Sequence, residues 1–187
     1  SKVKDIAAKC VIRMFGTDCK RLNQISDFTK AGIIVKTITI TPRGGRTEDM
    51  KLKHIDFEEW ADRDADFEDS EVYDYFCEHS FLCPIFCEPD STDSSKTTFE
   101  GFKRFAFDEA FIENEVRRTW EDSRKLIHRN ELEWEYVYDK QGNRRMNKSG
   151  SYMGAPNFPK SSDYKVFFRG GADISTEETR TESVNGI

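Results

Sequence analysis

Apolar residues recur along this chain with two periods. At Ile6, Cys10, Met14 and Phe15 the spacing is helical and predicts a helix over residues 3–15, with Gly16 as its stop. Residues 33–40 (Ile-Ile-Val-Lys-Thr-Ile-Thr-Ile) are β-branched and partly alternating, the strongest strand signal in the chain. Pro42 to Gly45 reads as a turn, and residues 50–57 are expected to pair back as a hairpin. The stretch from Trp60 to Phe76 is acidic, with a helix in its later half. Phe81 to Phe86 reads as a buried strand, Pro89 to Thr98 as a polar loop, and Phe99 to Phe107 as a further strand. The longest helix is expected over residues 108–129, with Ile112, Val116, Trp120 and Ile127 as its apolar stripe and acids preceding bases. After Trp134, Tyr136-Val-Tyr138 alternates like a strand before a turn at 139–143. Residues 143–162, rich in Gly, Ser, Asn and Pro, read as a loop, and Tyr164 to Arg169 as a strand ending at Gly170-Gly171. No internal repeat or low-complexity tract stands out.

A length of 187 residues suits one domain, or one with a large insertion, and suffices to bury a real core. Aromatics make up 13% of the chain, with 15 Phe, which excludes a disordered polymer. No apolar run approaches the roughly 20 residues that span a bilayer, so no membrane is expected as a partner. Five cysteines at irregular spacing (Cys10, Cys19, Cys77, Cys83 and Cys87) argue for reduced thiols in a cytoplasmic protein. Cys83-x-x-x-Cys87 near His79 lacks the second ligand pair that zinc requires. The ends, Ser1-Lys-Val-Lys-Asp and Val-Asn-Gly-Ile187, read as the boundaries of a piece of a longer protein.

The net charge of −6 speaks against nucleic acid, because phosphate contacts need Lys and Arg. Its distribution weakens that objection. Residues 56–74 hold much of the acid, whereas bases gather at Lys30 to Arg46, at Arg117 to Arg129 and from Arg144 to Arg169. A basic face opposite an acidic one is one arrangement consistent with this pattern.

Three stretches resemble the MutH-type branch of the restriction-endonuclease superfamily, and within it the C-terminal half of the GATC-specific Sau-three-A-type enzymes. The first is Asp27-(x)6-Ile34-Val-Lys36-Thr-Ile, where the family has Asp-(x)6-Glu-x-Lys-Thr. The second runs from Phe107-Asp-Glu to Trp120-Glu-Asp and is similar to the family's acidic helix start leading to Trp-Glu. The third, Val166-Phe-Phe-Arg169-Gly-Gly-Ala, resembles a strand ending in an Arg that enters the DNA groove. The resemblance implies an α/β fold with a mixed central sheet flanked by helices.

It also implies roles. In an active core two carboxylates hold Mg²⁺ and a lysine supports the attacking water. Asp27 matches the first ligand and Lys36 the lysine, but Ile34 replaces the second carboxylate, and the first helix lacks the family's Glu. The expectation is a degenerate centre with no cofactor of its own, Mg²⁺ belonging to the parent enzyme. The domain would bind duplex DNA at GATC and act as allosteric effector of an N-terminal catalytic domain in the same chain. Arg43, Arg46, Glu48, Lys165 and Arg169 are the candidate DNA contacts. Blander readings stand beside these: Lys36 as a solvent-facing strand residue, Asp27 as a turn cap, Arg43 and Arg46 as an exposed hairpin tip, and the helix cations as a solvated face with Glu partners. Two rival functions remain, an active Mg²⁺ nuclease with a displaced carboxylate such as Glu48, and a protein-interaction domain without DNA binding.

Overall fold

A computed structural model describes residues 3–16, 19–45, 49–90, 96–147 and 150–167. In chain order its elements are α1 (Val3–Met14), a 3-10 turn (Leu22–Gln24), α2 (Ser26–Lys30), β1 (Ile33–Val35), β2 (Ile38–Ile40), α3 (Phe57–Ala61), α4 (Glu71–Glu78), β3 (Ser80–Cys87), β4 (Thr98–Phe105), α5 (Glu109–Phe111), a π-helical turn (Ile112–Val116), α6 (Arg117–His128), β5 (Trp134–Tyr136) and β6 (Gly154–Pro156). The expectation of one domain over 1–187 meets two compact units: residues 1–53 with 74–108, and residues 54–73 with 109–187. No described helix is long and apolar enough to cross a membrane.

The first unit is organised around β3, whose apolar run must be covered on both faces. β1 and β2 both pair in parallel with one edge of β3, Ile33 opposite Ser80 and Ile38 opposite Ile85, in a single register. They are two halves of one strand. The interruption falls at Lys36–Thr37, opposite Cys83–Pro84, and Pro84 has no N–H to contribute to the ladder there. The Lys36 amide still donates to the Leu82 carbonyl at 3.1 Å. β4 runs antiparallel along the other edge, from Phe81 opposite Phe105 to Cys87 opposite Thr98, with an irregularity between Ile85 and Phe86. The result is mixed α/β with parallel and antiparallel pairing in one sheet.

The predicted hairpin strand over 50–57 does not form: the described residues 49–56 are irregular and α3 begins at Phe57. The edge it would have occupied belongs to β3, whose longer apolar run buries more surface. The predicted strands over 81–86 and 99–107 correspond to β3 and β4.

Register places Ile34, Phe81 and Phe105 in one row across the sheet. Phe105 stacks on Phe81 with centroids 5.4 Å apart, and Tyr75 and Phe107 close on Phe81 at 5.8 and 5.3 Å. This aromatic cap comes partly from α4. On the opposite face Val11 of α1 packs with Phe86 and Leu22.

In the second unit the acidic segment folds into α3 and the start of α4. Asp56 caps α3 by accepting from the Glu58 amide at 2.9 Å, and the Ser70 hydroxyl accepts from the Tyr73 amide at 3.1 Å. The predicted helix over 108–129 is present as α5, the π turn and α6, and all four stripe residues are buried. Trp60 and Phe67 meet Trp120 at 6.4 and 5.5 Å.

Two sequence expectations fail in this unit. Residues 143–162 are not simply loop, since β6 pairs antiparallel with β5 from Trp134–Pro156 to Tyr136–Gly154. Nor is Tyr164 to Phe167 a strand. The Tyr164 hydroxyl donates to Asp122, and the Thr119 hydroxyl lies 2.7 Å from the Val166 carbonyl, so side chains of α6 hold this stretch instead of a ladder.

Candidate degenerate nuclease centre

Asp27, Ile34 and Lys36 all lie in the first unit, Asp27 on α2, Ile34 on β1 and Lys36 in the break after β1. Asp27 sits on helix α2, exposed, and not on a strand. A run of five residues beginning at Ser26 is too short to be driven by propensity; the Phe28 and Thr29 amides bonding back to Ile25 fix it.

Ile34 is half-buried and shares a row across the sheet with Phe81 and Phe105. A carboxylate in this row would lose part of its hydration beside apolar neighbours. Ile34→Glu is expected to destabilise the chain by about 1–3 kcal/mol, read as a lower urea midpoint, and to create no Mg²⁺-dependent strand cleavage on a denaturing gel.

Lys36 is half-buried at the break between β1 and β2. Its ammonium donates to two main-chain carbonyls, Lys51 at 2.5 Å and Leu52 at 2.9 Å. These bonds tie the irregular 49–53 stretch to the sheet without a strand ladder. Register sets Lys36, Cys83 and Lys103 in the next row across the sheet. Burial holds the Lys36 pKa below its ordinary value, with Lys51 pushing the same way and Cys83 opposing. The Cys83 thiol is pushed up by its own burial, against the pull of Lys103 and Lys36.

A lysine with a lowered folded-state pKa binds fewer protons in the native than in the unfolded chain. Stability must therefore rise with pH between that lowered value and the ordinary 10.5. Lys36→Met removes this one titration. The stability of the wild type relative to Lys36→Met should increase as pH is raised toward 10.5, compared by urea midpoints; a flat or falling difference contradicts the assignment.

Mg²⁺ would need oxygen donors beyond Asp27, and the candidate Glu48 lies outside the described residues. A hard cation needs several oxygen ligands. Ile34 offers none, and among the described residues no group of three His, Cys, Asp or Glu is placed to hold a metal. The cysteines are free thiols, with Cys83 buried.

Of the candidate DNA contacts, Arg43 is exposed at a turn closed by the Gly44 amide donating to Thr41 at 2.8 Å. Lys165 is exposed in the second unit and pairs with Glu115 at 2.6 Å. Arg46, Glu48 and Arg169 lie outside the described residues.

The helix cations and the acidic segment meet within the second unit. Arg117 pairs with Glu68 at 2.6 Å and with Glu113 at 2.7 Å, and these carboxylates raise its pKa. Lys125 pairs with Asp122, and the Arg118 guanidinium lies over the Tyr164 ring. Arg124 is buried, stacked on Trp120 at 4.2 Å and donating to the Ala65 and Asp62 carbonyls. The Arg117–Glu113 and Lys125–Asp122 pairs are the acid partners at helical spacing that the solvated-face reading expected, whereas the Arg117–Glu68 pair and the buried role of Arg124 were missed.

The first unit thus presents a mixed α/β sheet with Ile34 on β1 and the half-buried Lys36 at the break after it. No protein-family profile matches the chain. Over 125 residues it is 28% identical to the type II restriction enzyme Sau3AI of Staphylococcus aureus, a match taking in 64% of this chain and 25% of that enzyme. The chain thus spans about a quarter of the length of this relative. The similarity supports a relationship to the restriction endonucleases.

Proposed function

We propose that this chain is a duplex-DNA-binding domain of a restriction enzyme, a nuclease scaffold that reads GATC and no longer cuts. One observation weighs most. The lysine that would assist a metal-bound water is held by the Lys51 and Leu52 carbonyls, beside a row where Ile34 replaces a carboxylate. The similarity to a type II restriction enzyme supports DNA as the partner.

In this reading the catalytic domain, with its Mg²⁺, lies elsewhere in the parent chain, in the cytoplasm where the DNA is. The domain described here binds a second site and biases the whole enzyme toward its active state. For that, DNA must bind one state better than the other. Arg43, Arg46, Glu48, Lys165 and Arg169 are the proposed contacts. The Lys165–Glu115 pair is no obstacle, because exposed ion pairs contribute only about 0–1 kcal/mol and a phosphate can replace the carboxylate.

Fluorescence anisotropy with a GATC duplex and a scrambled duplex at about 0.15 M salt tests the reading, since phosphate contacts alone give non-specific binding that weakens as salt rises. Site-selective binding is expected. Equally weak binding to both would overturn it and leave a protein-interaction domain.

A further inference from the structure

In the second unit, residues 137–147 and 150–153 carry two small antiparallel pairings at the end of the β5–β6 pair. Tyr138 pairs with Arg144 in one and Met146 with Tyr152 in the other. Main-chain bonds knit the junction: the Val137 amide donates to Met153, that of Arg145 to Val137, and that of Met153 to Arg145, at 2.7–2.9 Å.

The two loops are built alike. Asp139-Lys-Gln-Gly-Asn143 and Asn147-Lys-Ser-Gly-Ser151 share the pattern Asx-Lys-x-Gly-polar. In each, the glycine amide returns to the Asx carbonyl, and the Asx amide donates to the carbonyl four residues on. Gly142 and Gly150 take φ of 84° and 87°, a left-handed conformation that a side chain would strain. The Asp139 carboxylate accepts from the Gln141 and Asn143 amides at 2.9 Å, so the one acid of the hairpins is engaged by their own backbone.

The hairpins carry both bases and exposed apolar groups. Tyr138 is 54% and Met146 60% exposed, beside Val137 at 39% and Tyr152 at 37%. Lys140, Arg144 and Arg145 are exposed, and no described side chain pairs with Lys140 or Arg145. Arg144 is braced with its guanidinium 4.0 Å from the Tyr136 ring centroid and 5.6 Å from that of Tyr152. Such bracing lowers the side-chain entropy lost when the guanidinium meets a ligand. The helix cations, by contrast, are already committed to carboxylates or carbonyls.

We infer that the twin hairpins are a DNA-docking element, with Lys140, Arg144 and Arg145 against backbone phosphates and Tyr138 and Met146 against the groove wall. The argument for this occupant is charge: four cations in the sequence 137–153, Lys140, Arg144, Arg145 and Lys148, against one engaged acid, in a chain of net charge −6. A β-ribbon also has the dimensions to enter the major groove. The inference rests on the DNA-binding reading above and adds the surface through which it acts.

The test compares the full chain with the double variant Lys140→Ala/Arg145→Ala, by anisotropy on the GATC duplex across a salt series. Arg145→Lys and Lys125→Ala serve as charge-retaining and remote controls, and thermal melts verify folding. Loss of two phosphate contacts should weaken binding about tenfold or more and reduce the slope of log affinity against log salt by about 1–2. Arg145→Lys and Lys125→Ala should stay near wild type. If the wild type binds and the double variant binds equally, with the same slope, the hairpins are not the docking element while the DNA-binding reading survives. If the wild type binds no duplex, both fall together.

Discussion

Trp60→Ala is expected to destabilise the second unit by about 3–5 kcal/mol, the largest effect of any single truncation proposed here. Trp60 is fully buried, and it is the buried residue of a five-residue helix that could not persist alone. Its ring meets Trp120 edge-on at 6.4 Å, in a core that also holds Phe67, Ile112 and Val116. Removing the indole leaves a void that its neighbours cannot close without moving α3 against α6. All three tryptophans, Trp60, Trp120 and Trp134, belong to this unit, so the fluorescence of the remaining two reports its unfolding selectively. A urea midpoint within error of wild type would show that the core does not depend on this anchor.

Arg124→Ala should follow, at about 2–4 kcal/mol. Only 6% of Arg124 is exposed. Its guanidinium lies over Trp120 and supplies donors to the Asp62 and Ala65 carbonyls, at the C-terminal cap of α3 and in the loop that follows. Truncation leaves those carbonyls without their donor and strips packing from the indole, and each loss is costly when buried. Arg124→Lys should recover less than half of the difference, because a single ammonium cannot reach both carbonyls while lying flat on a ring. Full rescue by lysine would mean that charge alone matters, contrary to the geometry.

These two residues show what the sequence made legible and what it did not. The stripe Ile112, Val116, Trp120 and Ile127 was readable because burial imposes a helical period on side chains. Arg124 falls outside that stripe's alphabet, and its partners are main-chain carbonyls, which leave no trace in residue identity. Lys36 hides its role in the same way: its acceptors at 51 and 52 are carbonyls of any residue type. The 33–40 strand was visible by its β-branched run, but its partner was not. Nearest-in-sequence pairing suggested 50–57, whereas β3 takes the edge from more than forty residues away. Asp27 matches a ligand of the motif, and the chain around it closes into a helical turn. The twin hairpins did leave a signal, the repeated Asx-Lys-x-Gly loop, within a stretch that composition alone reads as coil.

On the reading proposed above, the first unit is a nuclease scaffold that no longer cuts. Both the apolar row at Ile34 and the carbonyl-bound ammonium of Lys36 follow from packing local to the first unit. The most direct measurement is a denaturing gel of a GATC duplex incubated with excess chain and Mg²⁺. The account predicts bound but intact strands. Cut strands, abolished by Asp27→Ala, would contradict it and reveal a replacement carboxylate.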